Sequence, residues 1–477
     1  MKTQKLVSLL VAVLMVFSMA ACSNSQSELS AQASPTQPIK SESSHHTLAL
    51  SADQPPYQVV TLAHTSITPA TLSVSSTVDD CGIVYDESQI IRLLKGASLL
   101  AAGGGGSYHL GVSLLEEFKQ KNPETAIEVT VYDVEDMEED ESTFGVAIMG
   151  SPSAHASIPD LVKVALKSYD ETLEVARRYD KNPQYALALE LGGANTLIPL
   201  LCAMKYGLNV VDADMCGRAV PGLETSLSNI NGLPTAPFAL TDTNGNSYDV
   251  NMVDPYDADG VETIALAILD KLQSNGGFTG FYYSADDLVT SIPTDSLTRC
   301  VQIGEVIELF ESMSIEERRN TNLFELLNQS NYEVQCVALT ETASSAQHFH
   351  QESAAGGARD VGYYYLGVEG EAGNYFYVQF DNETMAVSVL NEDGTFDCLA
   401  TAPCIITMYD ERTGLPLTNA DLKAHYVDGI GDEPKVMLGI IKSDSKWWLD
   451  MDAVSEAWTP YLEEAGHTGG IVRYNFE

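Results

Sequence analysis

The chain has 477 residues, long enough for two or more domains, and its 44% hydrophobic and 19% charged residues are typical of a globular protein. Lys and Arg number 25 against 67 Asp and Glu, which gives a formal net charge of −42. This excess of negative charge argues against nucleic-acid binding and against electrostatic attachment to an anionic membrane surface.

Residues 1–21 have the pattern of an export signal. Lys2 and Lys5 precede an apolar run at 6–17, which is too short to span a bilayer. The segment "SMAAC" follows and resembles the bacterial lipobox, in which the signal is cleaved and the cysteine is lipidated. We therefore predict a lipoprotein signal peptide at 1–21 and a lipidated Cys22 that anchors the protein at the extracytoplasmic face of the cell membrane.

Residues 22–80 are rich in Ser, Thr, Ala, Gln and Pro and show no sustained hydrophobic period. Such a segment cannot bury enough apolar surface to offset the entropy lost on ordering. We predict a flexible tether over 22–80, followed by a folded region that begins near Cys81.

The folded region is predicted to begin with an amphipathic helix whose apolar positions are Ile90, Leu94, Ala97 and Leu100. Four successive glycines interrupt this pattern, at 103–106, and Ser107 follows them. Because a glycine turn exposes backbone N–H groups and lets another group approach closely, these five residues could bind a carbonyl oxygen or an anion. Tight packing of the turn against a sheet is the alternative.

A β-α-β unit is predicted farther along the chain. Residues 186–191 and 208–214 are apolar and strand-like, and residues 196–206 between them are helical. Such a unit has parallel strands and a right-handed crossover. With further predicted strands at 126–134 and 144–152 and a helix at 160–179, it indicates a mixed α/β domain over 81–252.

Polar residues follow both strands of this unit: Glu190, Gly192, Gly193 and Asn195 after the first, and Asp212, Asp214 and Arg218 at and after the second. In open α/β sheets, ligands bind beyond the carboxyl ends of the strands. The pattern predicts a ligand crevice there, with helix caps and salt bridges as the alternative. The rest of the chain, 253–477, starts with a helical pattern and becomes rich in strands, which predicts a second, β-rich domain.

Several segments together resemble the S-methyl thiohydantoin desulfurase family, also called DUF917. They include "LLKGASLLAAGGGGSYHLG", "FGVAIMGSPS", "LELGGANTLIPL", "GLNVVDADMCGRAVPGLE", "INGLPTAPFALTDTNGN", "YVQFDNETMAV" and "LATAPCIITMYDERTGLPLTNADL". The resemblance covers about 83–470. It implies hydrolysis of a C–S bond on a hydantoin-like heterocycle, with release of methanethiol.

That reaction needs an activated water, a stabilised tetrahedral intermediate and a proton for the leaving thiolate. We expect Glu190 or Asp214 to act as the general base, and Gly104, Gly105 and Asn195 to donate hydrogen bonds to the ring. Arg218 would pair with Asp212 or hold an anionic ring. A divalent metal stays open as a cofactor, with Glu190, Asp212, Asp214 and His155 as candidate ligands.

Two other functions remain open on the sequence: a surface lipoprotein that binds a small heterocycle without converting it, and an envelope interaction protein that keeps only the fold. The flank of the glycine run departs from the family pattern, with Ala101 and Ala102 before it and Ser107, Tyr108 and His109 after it. This departure favours binding over turnover. The sequence leaves the oligomeric state open.

Overall fold

The computed structural model describes residues 82–149, 158–272, 275–354, 359–368, 375–391 and 393–476. The predicted signal peptide at 1–21, Cys22, the tether at 22–80 and His155 lie outside these residues. No helix in the described ranges is long and apolar enough to cross a bilayer.

The first part of the described chain forms an eight-stranded sheet in the order β1-β2-β5-β4-β3-β8-β6-β7. Its strands are β1 (Ile83–Asp86), β2 (Glu128–Tyr132), β3 (Ser142–Met149), β4 (Pro183–Ala188), β5 (Asn209–Asp214), β6 (Phe238–Asp242), β7 (Ser247–Val250) and β8 (Gly276–Gly280). Its helices are α1 (Glu87–Leu100), α2 (Tyr108–Lys121), α3 (Ile158–Arg178), α4 (Leu197–Tyr206), α5 (Leu227–Ile230) and α6 (Ala258–Leu272).

The centre of this sheet is the predicted β-α-β unit. β4 pairs in parallel with β5, with Ala186 opposite Val210, and β2 and β3 extend the parallel region on either side. The crossover helix α4 ends at Gly207, whose φ of 67° is the left-handed conformation that a glycine adopts without strain. The predicted mixed α/β class and the parallel pairing are confirmed.

The second part forms a nine-stranded antiparallel sheet, in the order β14-β13-β12-β11-β10-β17-β15-β16 with β9 paired to β17. Its strands are β9 (Cys336–Ala338), β10 (Ser344–Ala354), β11 (Arg359–Val368), β12 (Tyr375–Asp381), β13 (Glu383–Leu390), β14 (Phe396–Thr401), β15 (Ile405–Asp410), β16 (Pro416–Leu417) and β17 (Val436–Ile441). Its helices are α7 (Ala285–Ser291), α8 (Ser296–Ser312), α9 (Ile315–Arg319), α10 (Leu323–Gln329), α11 (Asn419–Tyr426) and α12 (Met451–Glu464).

The two sheets meet at the glycine loop, residues 103–106, which joins α1 to α2. The amide of Thr384 on β13 donates to the Ala102 carbonyl oxygen at 2.7 Å, and the Asn419 amide on α11 donates to the Gly103 carbonyl oxygen at 3.0 Å. These backbone bonds hold the start of β13 and the start of α11 against the loop. Residues from both sheets therefore surround the same space.

Candidate functional site

The glycine loop packs directly against the turn that follows β4. The amide of Gly193 donates to the Gly106 carbonyl oxygen at 2.8 Å, and the Asn195 amide donates to the Gly105 carbonyl oxygen at 3.2 Å. A Cβ atom on Gly105 would lie 2.3 Å from the carbonyl oxygen of Leu191, so only glycine fits there. The packing interpretation of the glycines is therefore correct for this contact, while Ser107 caps α2 by accepting from the Leu110 amide.

A different contact explains Gly104. A Cβ atom at this position would lie 1.9 Å from Oε1 of Glu383, the first residue of β13. The missing side chain makes room for a carboxyl group beside the loop. Gly105 and Gly106 line the cavity described below, and within the described residues their amides donate to no backbone carbonyl, which makes them candidate donors to a ligand oxygen.

A cavity of about 810 Å³ lies beside this loop, between the carboxyl ends of the parallel strands and the second sheet. Of the residues predicted from the sequence, it is lined by Gly103, Gly104, Gly105, Gly106, Ser107, Glu190 and Asn195. Gly192 and Gly193 contact the loop backbone and do not line the cavity. The volume lies in the range of about 300–1,000 Å³ that is typical of small-molecule sites.

Glu190 is held at the cavity wall by two hydrogen bonds. Its Oε1 accepts from Nδ2 of Asn195 at 2.7 Å, and its Oε2 accepts from the amide of Val220 at 2.9 Å. The Asn195 side-chain oxygen accepts from the Ile148 amide at 3.2 Å, which fixes the amide orientation. Burial raises the pKa of Glu190 to about 7, against the opposing effects of these two donors and of Arg218. Glu190 thus exchanges a proton near neutral pH.

Glu383 is the second carboxyl group at this end of the cavity. Burial, and then the negative charge of Glu190, raise its pKa well above the usual range, with Arg218 opposing the shift. Its Oε2 is buried and accepts no hydrogen bond from the described residues. The raised pKa favours the protonated form of Glu383, which can donate. Sequence reasoning missed this residue, although it lies within the segment "YVQFDNETMAV" that carries the family resemblance.

The structure corrects the placement of Asp214, which is fully buried and does not line the cavity. It is the last residue of β5, and the chain turns back over it. Its Oδ1 accepts from the amides of Cys216 at 2.9 Å and Gly217 at 2.5 Å, which stabilises that turn. Burial raises the pKa of Asp214 to about 7, so the shifted pKa by itself does not mark the cavity.

Asp212 is also placed away from the cavity. Its Oδ1 accepts from the Leu297 amide at 2.7 Å and the Thr298 amide at 3.1 Å, so it caps the N-terminus of α8. Asp133, Asp212 and Asp295 form a group within the described ranges whose carboxylate oxygens lie within 4.8 Å of one another. Of the predicted metal ligands in the described residues, this group contains Asp212 but neither Glu190 nor Asp214.

Arg218 is fully buried and, among the described residues, pairs with no carboxylate at salt-bridge distance. It donates to carbonyl oxygens of Ala219 at 2.7 Å, Cys404 at 2.7 Å and Thr384 at 3.3 Å. Its guanidinium also lies 5.1 Å from the ring centroid of Trp458. The predicted pairing with Asp212 is corrected, and Arg218 does not line the cavity: it joins the two sheets, and its positive charge acts on Glu190 and Glu383.

Comparison with known proteins decides the family. The model of the S-Me-THD-like N-terminal domain matches residues 88–251, and the model of the S-Me-THD-like C-terminal domain matches residues 256–427. The chain belongs to the S-Me-THD-like family. This confirms the resemblance to the S-methyl thiohydantoin desulfurase family.

A solved structure is similar to this member of the S-Me-THD-like family. It is a crystal structure of a protein from Chromobacterium violaceum, with a TM-score of 0.66 and 21% identity over 82% of this chain and 99% of that chain. At this level of identity the likeness shows the fold. Among curated proteins, none matches the chain.

The cavity of this family member therefore combines three chemical functions at one end. Glu190 can accept a proton near neutral pH, Glu383 can donate one, and the Gly105 and Gly106 amides are candidate hydrogen-bond donors to an oxygen of the ligand. Together they can activate water toward a polarised ring carbon and protonate a leaving group.

Proposed function

We propose that the protein is a hydrolase that removes an alkylthio group from a hydantoin-like ring by water-dependent C–S cleavage. The observation that carries this proposal is the pair Glu190 and Glu383, two carboxyl groups that line one cavity beside the glycine loop and whose pKa values are raised by burial. Two neighbouring carboxyl groups, one ionised and one protonated, can act as a base and an acid in the same reaction. Membership of the S-Me-THD-like family supports the choice of substrate.

In the first step, ionised Glu190 takes a proton from water while the water oxygen forms a bond to the ring carbon that carries sulfur. The electron pair of the C=N bond moves to the ring nitrogen, which takes the proton of Glu383. The Gly105 and Gly106 amides bind the oxygen of the tetrahedral intermediate.

In the second step, the intermediate collapses. The hydroxyl proton returns to Glu383 as the ring carbonyl forms, the C–S bond breaks, and the departing thiolate takes the proton held by Glu190. The products are a hydantoin-type ring and a thiol, and both carboxyl groups return to their starting protonation states. Asn195 acts as a positioning residue by holding Oε1 of Glu190.

The direct test is turnover of an S-methyl thiohydantoin by the full-length chain. We expect equal amounts of methanethiol, measured with a thiol reagent, and of the hydantoin product. Because the pKa of Glu190 is near 7, kcat/KM should rise as the pH increases through that value. Binding without release of methanethiol would overturn the catalytic proposal and leave a non-catalytic binding protein.

We also propose that the chain is exported and lipid-anchored through Cys22. The support is the order of the N-terminal segments: two lysines, an apolar run at 6–17, and the lipobox-like "SMAAC". Replacing the anchor residue (Cys22→Ala) should move the protein from the membrane fraction to the soluble fraction or block its processing. An unchanged fractionation and an unchanged mass would contradict the lipoprotein proposal.

A further inference from the structure

A second cleft, of about 440 Å³, lies at the end of the second sheet, where β9 begins and β17 ends. Its lining residues are Gln335, Lys442, Arg473, Tyr474, Asn475 and Phe476. None of them lines the cavity beside the glycine loop, and no aspartate or glutamate of the described ranges is among them. In a chain whose acidic residues outnumber the basic ones by 67 to 25, this cleft is locally basic.

Lys442 is held at the cleft by the strand pair from which it extends. β9 and β17 are antiparallel, with Cys336 opposite Ile441, and the Lys442 amide continues the pairing by donating to the Gln335 carbonyl oxygen at 2.8 Å. Nζ of Lys442 donates to Oε1 of Gln335 at 2.7 Å. Lys442 forms no salt bridge within the described residues. Because an ammonium group has three donors, it can still donate to a ligand.

Arg473 follows a residue that is anchored to β14. The amide of Val472 donates to Oγ1 of Thr401 at 2.9 Å, and the Thr401 amide donates to the Val472 carbonyl oxygen at 2.9 Å. The guanidinium carbon of Arg473 lies 4.7 Å from the ring centroid of Trp448. A guanidinium stacked on a ring keeps the N–H groups at its edge available for a bidentate contact with an oxyanion. Among the described side chains, no carboxylate lies at salt-bridge distance from Arg473.

A third cation lies beside these two. Nη2 of Arg299 on α8 donates to the Lys442 carbonyl oxygen at 3.2 Å. At physiological ionic strength, charges more than about 8 Å apart are largely screened. The cations at the cleft, and not the net charge of −42, therefore determine which ions bind there.

Two aromatic rings form the apolar part of the cleft. Tyr474 and Phe476 lie with their ring centroids 5.0 Å apart in an edge-to-face arrangement, and both pack against the core of the second sheet. Each side chain is only partly buried, so part of each ring remains in water. Because aromatic rings pack favourably on other rings, a ligand that carries a ring would gain contacts that a bare inorganic ion cannot make.

We propose that this cleft binds a phosphomonoester whose organic group is an aromatic ring. A phosphate monoester carries about 1.5–2 negative charges at pH 7 and three acceptor oxygens, which match the charges and donors of Lys442 and Arg473. The ring packs on Tyr474 and Phe476. The cleft shares no lining residue with the cavity beside the glycine loop, so this proposal does not depend on the proposed reaction.

The first experiment compares phenyl phosphate, inorganic phosphate and benzoate in calorimetric titrations of the full-length chain at pH 7.5 and fixed, physiological ionic strength. We expect phenyl phosphate to bind most tightly, and benzoate, which carries a single charge, to bind at least about tenfold more weakly. Equal or tighter binding of benzoate would overturn the assignment to a phosphate. Equal binding of inorganic phosphate would overturn the role of the two rings.

A lipid headgroup is the other source of a phosphate monoester. Flotation with phosphatidylcholine vesicles, with and without phosphatidic acid, tests this source, and the lipid-free titration tests the soluble one. We expect phosphatidic acid to leave the bound fraction unchanged. Binding that requires phosphatidic acid, with no binding of phenyl phosphate, would overturn the proposal.

The second experiment removes the two cations one at a time. Lys442→Gln and Arg473→Gln should each weaken binding of phenyl phosphate at least about tenfold, because each loses a charged donor. The matched control is Arg177→Gln on α3, where the side chain is 70% exposed and does not line the cleft, and its affinity should be unchanged. Thermal unfolding checks that each variant is folded. Unchanged affinity in both folded cleft variants would overturn the proposal.

The third experiment tests the ring contact. Phe476→Leu keeps an apolar side chain at this position but removes one ring. It should weaken binding of phenyl phosphate and leave binding of inorganic phosphate nearly unchanged. Equal losses for the two ligands, or no loss for either, would show that the organic group does not pack on Phe476 and would overturn this part of the proposal.

Discussion

The carboxyl ends of β4 and β5 are neighbours in one parallel sheet, yet the acidic residues at these two ends have different surroundings. Beyond β4, Glu190 lies at the cavity wall, where its oxygens accept from a side-chain amide and from the Val220 amide. At the end of β5, Asp214 is fully buried and accepts from the amides of its own turn. An acidic side chain at the same sheet edge therefore lines a cavity in one case and accepts backbone hydrogen bonds in the other.

The difference follows from where each chain segment turns. β4 ends at Ala188, two residues before Glu190, so the side chain of Glu190 stands beyond the sheet. Asp214 is the last residue of β5, and the next three residues fold over its carboxyl group. Burial raises the pKa of both groups to about 7, so exposure to the cavity, and not the shift in pKa, separates the proposed catalytic residue from the structural one.

The largest expected effect is on turnover. Glu190→Gln and Glu383→Gln should each lower kcat for the proposed reaction by about 10²–10⁴-fold, the usual contribution of a general acid or base. Asp214→Asn should leave kcat nearly unchanged, because its side chain does not reach the cavity. Steady-state methanethiol release measures all three variants, with thermal unfolding as the check on folding. A loss of activity in Asp214→Asn comparable to that in Glu190→Gln would contradict the structural role assigned to Asp214.

The next effect concerns the charge behind both glutamates. In Arg218→Met, three buried carbonyl oxygens lose the guanidinium that donates hydrogen bonds to them. We expect a loss of about 3 kcal/mol or more in the free energy of unfolding, measured by denaturant titration. The control Arg177→Met changes an arginine whose side chain is 70% exposed and should cost little.

Arg218→Met also tests whether the positive charge of Arg218 lowers the pKa of Glu190. Since Arg218 opposes the rise in the pKa of Glu190, its removal should shift the rise of kcat/KM to higher pH. An unchanged pH profile would show that the positive charge of Arg218 does not act on Glu190.

The sequence predicts the fold of the first sheet more completely than it predicts the residues of the site. Apolar runs and turn residues predicted β4, α4 and β5 because they depend on local patterns, although β4 ends three residues earlier than its apolar run. Glu190 and the glycine loop were predicted because they follow recognisable elements. Glu383 was missed because its approach to Gly104 joins positions far apart in the chain, and no local pattern encodes such a contact.

The roles of Asp212 and Arg218 were missed for a related reason. A carboxylate after an apolar strand can face a ligand or cap a helix elsewhere, and only the position of α8 decides between them. Likewise, the acceptors of Arg218 on Thr384 and Cys404 belong to the second sheet. Both side chains satisfy backbone groups whose proximity is set by the packing of the whole chain.

A smaller effect should appear in the pH dependence of stability. Burial raises the pKa of Asp214 to about 7 in the folded state, from the ordinary aspartate value of 3.8 in the unfolded chain. Between these values the folded state holds a proton that the unfolded state has released, so the contribution of Asp214 to stability falls as the pH rises. From pH 5 to pH 7 the wild type should lose about 2 kcal/mol relative to Asp214→Asn, which cannot titrate. Parallel pH profiles of the two unfolding free energies would contradict burial of an ionisable Asp214.

The smallest effect is expected at Asp212, where the helix-cap assignment can be tested by itself. Asp212→Ala removes the acceptor for the first amides of α8 and should cost about 1 kcal/mol of stability, the typical value for loss of an N-terminal cap. Asp212→Asn keeps an oxygen that can accept from the Leu297 amide, and it should recover part of that loss. Neither variant should change kcat for methanethiol release, because the side chain does not line the cavity. A fall in kcat without a fall in unfolding free energy would place the end of β5 in the functional site after all.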